Sequence, residues 1–236
     1  MTQVYASGLT AEQINEQIRY TMYSVFARTS AQHPDAAASA LAAVEEATGG
    51  RDLVIRGWYD IGGFRADADL LVWWSAPSTD VLQDAYQALR ASELGESLVP
   101  VWSQIGLHLP AEFNRGHVPA FLGGANPGKY LCVYPFVRSR EWYLLPDEER
   151  KEMLREHGML AVPYPDVRAN TVASFALGDY EWLLAFEAEE VHRILDLMRA
   201  LRAATARRHT LEEQPFFTGR RRELAEIVAS WGTPRD

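Results

Sequence analysis

The chain of 236 residues is longer than one average domain and can bury a sizeable core, and its 47% apolar and 23% charged content matches ordinary globular usage rather than a disordered or fibrous class. A formal net charge of −9 excludes a general nucleic-acid binder, which needs a basic face. A single cysteine, Cys132, excludes an internal disulfide and any cysteine-built zinc or iron–sulfur cage, so a metal must come through histidine or carboxylate, or arrive inside a cofactor.

In chain order, the start MTQVYASGLTAEQINEQ has no charged-then-apolar signal pattern, and no apolar run approaches the ~18 residues that cross a bilayer. A cytoplasmic protein without a membrane span is expected. Thr10 can cap a short helix through Gln13, and the rest of 1–18 reads as an arm. Residues 19–28 alternate as a strand, and the alanine-rich 34–48 is a helix with Pro34 in its first turn and Gly49-Gly50 as its stop. Strands at 53–61 and 68–75 flank the Gly62-Gly63 turn, a helix covers 79–94, and 98–109 is another strand. Pro110, Pro119 and Pro127 with Gly116, Gly123, Gly124 and Gly128 mark a linker. The pattern then restarts: a strand at 130–137, a helix at 146–157, strands at 171–177 and 181–188, and a helix at 189–206. A short strand at 207–210 follows, and Arg220-Arg221-Arg222 opens a last helix.

Strand, helix, strand, strand, helix, strand used twice is a duplicated ferredoxin-like topology: an α+β subunit, the dimeric α+β barrel, with antiparallel sheets and outer helices. The expected division is an N-terminal half at 1–110, a linker at 111–128 and a C-terminal half at 129–236.

Alternation sends Tyr130, Cys132, Tyr134 and Phe136 to one face of their strand, both faces being apolar. The plainer reading of Tyr134 is therefore a core tyrosine with a satisfied hydroxyl. His157 falls in the last turn of its helix with Gly158 as the stop. It is either a cationic cap on the helix C-terminus or an axial iron ligand. His117 lies in the linker, where a histidine is an ordinary surface residue or a base that takes a proton from peroxide. Arg138, Arg140, Lys129, Arg207 and Arg208 can pair with carboxylates. Seven arginines between 199 and 222 give this acidic chain one basic locus. A phenol, guanidiniums and an imidazole on adjoining elements suit an anionic metalloporphyrin.

The stretches YTMYSVFA (20–27), GWYDIGGFRADADLLVWW (57–74), NRGHVPAF (114–121), YPFVRSREWYLLP (134–146), MLREHGMLA (153–161), ALGDYEWLLAFE (176–187) and PFFTGRR (215–221) resemble the coproheme decarboxylases of the chlorite dismutase-like superfamily, in their actinobacterial form. The resemblance implies a catalytic radical at Tyr134, a distal histidine at His117 and the proximal haem ligand at His157. It implies propionate or porphyrin contacts at Arg138, Trp142 and Arg208. The implied substrate and redox centre is iron-coproporphyrin III (coproheme), decarboxylated with hydrogen peroxide at two propionates to give haem b. A homopentamer is also implied, as is a contact with the ferrochelatase that donates the substrate. The alternatives are a b-type haem peroxidase and a non-catalytic porphyrin carrier. Chlorite dismutases carry a distal arginine on a C-terminal strand, and 169–192 contains no arginine, which points away from chlorite decomposition.

Overall fold

A computed structural model describes residues 4–33 and 35–232, so Pro34 and its expected place in a first turn lie outside the described residues. In chain order the elements are α1 (Ala11–Asn15), β1 (Tyr20–Arg28), α2 (Asp35–Thr48), β2 (Val54–Asp60), β3 (Leu70–Ala76), α3 (Thr79–Ala91), α4 (Glu93–Glu96) and β4 (Leu98–Leu107). There follow β5 (Tyr130–Arg138), a 3₁₀ turn (Arg140–Leu144), α5 (Asp147–Ala161), β6 (Arg168–Ala173), β7 (Trp182–Ala188), α6 (Val191–Leu201), a second 3₁₀ turn (Thr205–His209), β8 (Thr210–Glu212), β9 (Phe217–Arg222) and α7 (Leu224–Ser230). The chain clusters into two compact units, one of residues 1–16 and 108–218, the other of 17–107 and 219–236.

In the second unit the strands lie in the order β4-β1-β3-β2-β9, all neighbours antiparallel. One face carries Met22, Phe26, Trp58, Val72 and Trp74, on which α2, α3 and α7 set Ala37, Ala40, Leu82, Leu89 and Ile227. The alanines of α2 let its backbone approach closely. Burying each large apolar side chain stabilises the fold by roughly 1.5–3 kcal/mol, which makes this face a main stabilising layer of the unit.

In the first unit the order is β6-β7-β5-β8, again antiparallel. Its core joins Cys132 and Tyr134 of β5 and Phe186 of β7 to Ile194, Leu197 and Leu201 of α6. Among the described residues, no helix is long and apolar enough to cross a membrane.

Several boundaries differ from the sequence expectation. Helix α5 runs through Gly158 to Ala161; Gly158 keeps helical geometry, and the stop comes where Pro163 follows the C-cap Val162. His157 therefore sits inside the helix and is not a C-terminal cap. Strand β6 occupies 168–173 because Ser174 and Phe175 donate their N–H groups to Glu181 O at 2.7 and 3.1 Å, starting the hairpin turn early. Helix α6 ends at Leu201 rather than 206: Glu156 of α5 accepts the Thr205 N–H at 2.8 Å and the Thr205 hydroxyl, a tertiary capture that replaces helical continuation. Residues 207–209 are 3₁₀, with the strand only from Thr210. Arg220, Arg221 and Arg222 are the end of β9 and pair with β2, with Arg222 bonded to Asp60 at 3.0 Å. The helix 79–94 breaks at Ser92 into α3 and α4.

Candidate functional site

The site belongs to the first unit and is built around β5. Tyr134 is 3% exposed; its ring stacks on Phe216 at 4.6 Å and its hydroxyl donates to Met198 Sδ at 3.5 Å. Burial raises its pKa, Cys132 and Glu213 add to the rise, and Arg207 opposes it. The phenol is thus held fully protonated near neutrality.

Beside it lies a cavity of about 470 Å³ lined by Cys132, Met198, Arg199, Arg202, Arg207 and Phe216, among others. A neighbouring one of about 440 Å³ shares Arg207, Glu213 and Phe216. Arg207 pairs with Glu213 at 2.8 Å. The first cavity, lined both by Arg199, Arg202 and Arg207 and by Ile194, Leu195 and Met198, can hold an apolar body with acidic edges.

His157 is half-buried on α5. Its pKa is lowered, first by burial, then by electrostatic interaction with Arg138 and His117, with Glu156 opposing. Those couplings show three groups far apart in sequence, 117, 138 and 157, brought within electrostatic reach. The neutral imidazole that results is the metal-ligating form. Helix α5 buries none of its side chains fully; Met153, Leu154, His157, Leu160 and Ala161 are all only half-buried, unlike the sealed stripe of α6.

Arg138 stacks over Trp142 at 4.1 Å and over Phe136 at 4.5 Å, and its Nη1 donates to Ala206 O at 2.8 Å. Burial pushes this guanidinium down to about 10, against the pull of Tyr143 and Glu181, so it stays cationic at neutral pH. Trp142 is 4% exposed, wedged between Arg138 and the His209 ring 5.6 Å away. His209 is fixed in turn by Ser139, Oγ to Nδ1 3.1 Å.

His117 is exposed on the linker, its N–H bonded to Asn114 O at 2.9 Å. The far end of that linker is tied to the sheet. Buried Asn170 accepts the Phe121 N–H at 2.9 Å and donates to Glu187 at 3.2 Å, and Glu187 accepts the Gly128 N–H at 3.2 Å. A Cβ at Gly128 would lie 2.9 Å from Ala188 N, so only glycine allows this approach.

The structure therefore gathers Arg138, Trp142, His157 and His117 in one neighbourhood and Tyr134 with the cavity in another, Tyr134 and Arg138 both being carried by β5. It does not bring in Arg208, which is exposed, nor Arg140. The arginine at the cavity is Arg207, one residue earlier, because the segment is a 3₁₀ turn and not a strand. Arg199, Arg202, Glu213 and His209 were not singled out individually by sequence reasoning. The dense arginines at 199–207 were the available signal, whereas Glu213 and His209 had none.

A family model for chlorite dismutase matches residues 33–222. A coproheme decarboxylase of Mycolicibacterium smegmatis is 55% identical over 229 residues, covering 94% of this chain and 97% of that protein. Among solved structures, a mutant chlorite dismutase from Candidatus Nitrospira defluvii superposes with a TM-score of 0.80 at 22% identity, covering 91% of this chain and 96% of its own. The chlorite dismutase of the same organism in complex with imidazole gives 0.75 at 22% identity, covering 93% and 98%. The structural likeness shows an α+β fold with antiparallel strands and flanking helices in common. The sequence matches, spanning nearly the whole chain, go further: the chain belongs to the chlorite dismutase family.

Proposed function

We propose that the chain is an enzyme, a coproheme decarboxylase, converting iron-coproporphyrin III to haem b with hydrogen peroxide. The near-full-length relative of that name at 55% identity supports the reaction. The structural observation that carries it is His157: a neutral imidazole on a helix whose inner face is only half-covered, with a guanidinium and a second histidine nearby. Among the described residues no group of three or more His, Cys, Asp or Glu could hold a bare metal ion, so a one-histidine site suits iron that arrives inside a macrocycle.

The fit to a tetracarboxylate porphyrin rests on the arginines and apolar side chains of the cavity wall and on Arg138, a half-buried guanidinium that can pair with a carboxylate. His157 would hold the iron. Arg138, stiffened by Trp142, and Arg207 would take carboxylates; Arg208 is left as a peripheral contact. The iron porphyrin would be at once substrate and redox centre, relaying to its own propionates the oxidising equivalents that peroxide supplies. Each propionate that becomes a vinyl loses one carbon dioxide and two electrons, which one peroxide accepts as it becomes two waters. His117 would accept the peroxide proton. Tyr134 would remove hydrogen from the propionate β-carbon. Because burial disfavours a bare phenolate, loss of its proton together with its electron is the route the site favours.

The strand orders β4-β1-β3-β2 and β8-β5-β7-β6 support a duplicated ferredoxin-like subunit of the dimeric α+β barrel type, with halves at 1–110 and 129–236 and the His117 linker at 111–128. By family resemblance we extend the proposal to a homopentamer, a cytoplasmic setting and a ferrochelatase as donor of coproheme.

The test is anaerobic titration with coproheme followed by peroxide, read by mass spectrometry. Loss of two carbon dioxide units is expected, whereas a peroxidase with resident haem b or a carrier would leave the porphyrin mass unchanged. Tyr134→Phe should bind coproheme as before and release no carbon dioxide. Full haem b formation by that variant would overturn the role of Tyr134.

A further inference from the structure

We propose that the N-terminal arm is a positioning element for His117, with Tyr5 and Asn15 as the residues that hold it; the inference rests on His117 being the proton acceptor of the reaction above. The arm has a structure of its own. Tyr5 N–H donates to Leu9 O and Gly8 N–H to Tyr5 O, both at 2.9 Å, Val4 bridges Thr10, and Thr10 with Gln13 forms a reciprocal cap on α1. Fully buried Ile14 pins the helix.

From this base the arm reaches the two carbonyls that immediately precede His117. The Tyr5 hydroxyl donates to Gly116 O at 2.5 Å, and Asn15 Nδ2 donates to Arg115 O at 2.8 Å. The Asn15 amide is oriented by His108, whose Nε2 lies 3.1 Å from its Oδ1, so the amide nitrogen is the end that faces the linker. On the other side of His117, Ser7 N–H donates to Gly123 O at 2.9 Å, and a Cβ at Gly124 would meet Ser7 N at 2.4 Å.

Asn170 and Glu187 secure the linker from residue 121 onward. The stretch that carries His117 is exposed, and the two carbonyls next to it are fixed by the arm. A base acts only within hydrogen-bond reach of its proton, so a displacement of about 1 Å can cost up to about a hundredfold in rate.

The test uses two nearly isosteric changes together. Tyr5→Phe keeps the ring against Gly123 and removes the hydroxyl; Asn15→Asp keeps the acceptor toward His108 and replaces the donor by an oxygen. In the apoprotein, hydrogen exchange of amides 115–118 should accelerate about tenfold while exchange in β5 and α6 is unchanged. In the loaded protein, coproheme affinity should stay within about twofold and peroxide-driven decarboxylation should slow about tenfold. In a His117→Ala background the same double variant should add no further loss, as expected of residues that act through His117.

Unchanged exchange at 115–118, or a full additional loss on top of His117→Ala, would overturn the inference. A wild-type rate for His117→Ala would instead remove the catalytic role of His117, and the exchange data alone would then decide whether the arm positions it.

Discussion

A histidine that ligates a metal must keep its lone pair, and His157 does so through its surroundings. Burial, the guanidinium of Arg138 and the neighbouring His117 all disfavour the imidazolium, whereas Glu156, which favours it, is turned toward Thr205. His157→Ala should retain the arginine contacts to the propionates yet lose the iron–imidazole stretch in resonance Raman, with free imidazole restoring it. An unaltered spectrum would remove His157 as ligand. The sequence offered Tyr134, His117, His157, Arg138 and Trp142 as candidates for this site, and it did not single out Arg199, Arg202 or Glu213 of the cavity wall. The environment that makes His157 neutral was not legible there, because it depends on side chains 19 and 40 positions away that only tertiary folding brings close. Tyr134 shows the same division: alternation assigned its face correctly, but nothing local in sequence foretold Met198, Phe216 or the Arg207 and Glu213 pair around it.

Helices and strands were legible where pattern and punctuation agreed, and misread where a glycine or a charge run suggested the wrong stop. Gly158 looks like a helix terminator, yet it stays helical and an added Cβ there meets nothing within 4 Å. Gly158→Ala should accordingly stabilise the apoprotein by roughly 0.5–1 kcal/mol, seen as a raised melting temperature. Gly95 in the short α4 is the opposite case, since a Cβ would lie 2.0 Å from Leu89 O and 2.6 Å from Arg90 O. Gly95→Ala should destabilise by at least about 3 kcal/mol in denaturant titration, because backbone on both sides must move. The arginine run 220–222 read as a helix face because charge runs favour exposed helices. Pairing with β2 and the Asp60 partner made it a strand, a long-range effect with no local signature.

For the whole molecule, acid should act in two stages. His157 and His108 have folded pKa values below the unfolded value near 6.5, so above that pH neither state binds a proton and there is no penalty. As pH falls from about 6.5 through the folded values, the unfolded chain takes up protons that the fold resists, and stability is lost. The carboxylates of Asp166, Glu152 and Glu156 are held low, chiefly by hydrogen bonds to Arg193, Arg155 and Thr205, and their stabilisation is present above about 4 and disappears below it. Urea midpoints measured from pH 7.5 to 3 should therefore fall in two steps, and replacing both histidines by glutamine should flatten the first. A single step below pH 4 in the unmodified chain would contradict the histidine contribution.

The tryptophans are unevenly shared. Trp58, Trp73, Trp74, Trp102 and Trp231 belong to the unit without the candidate site, and only Trp142 and Trp182 to the unit with it. Intrinsic emission is thus dominated by the half of the chain that performs no proposed chemistry, while porphyrin absorbance reports on the other half. The two optical signals, followed through one unfolding experiment, amount to separate thermometers for the two units. Coincident curves would mean a single cooperative molecule, and divergent ones would reveal which half yields first.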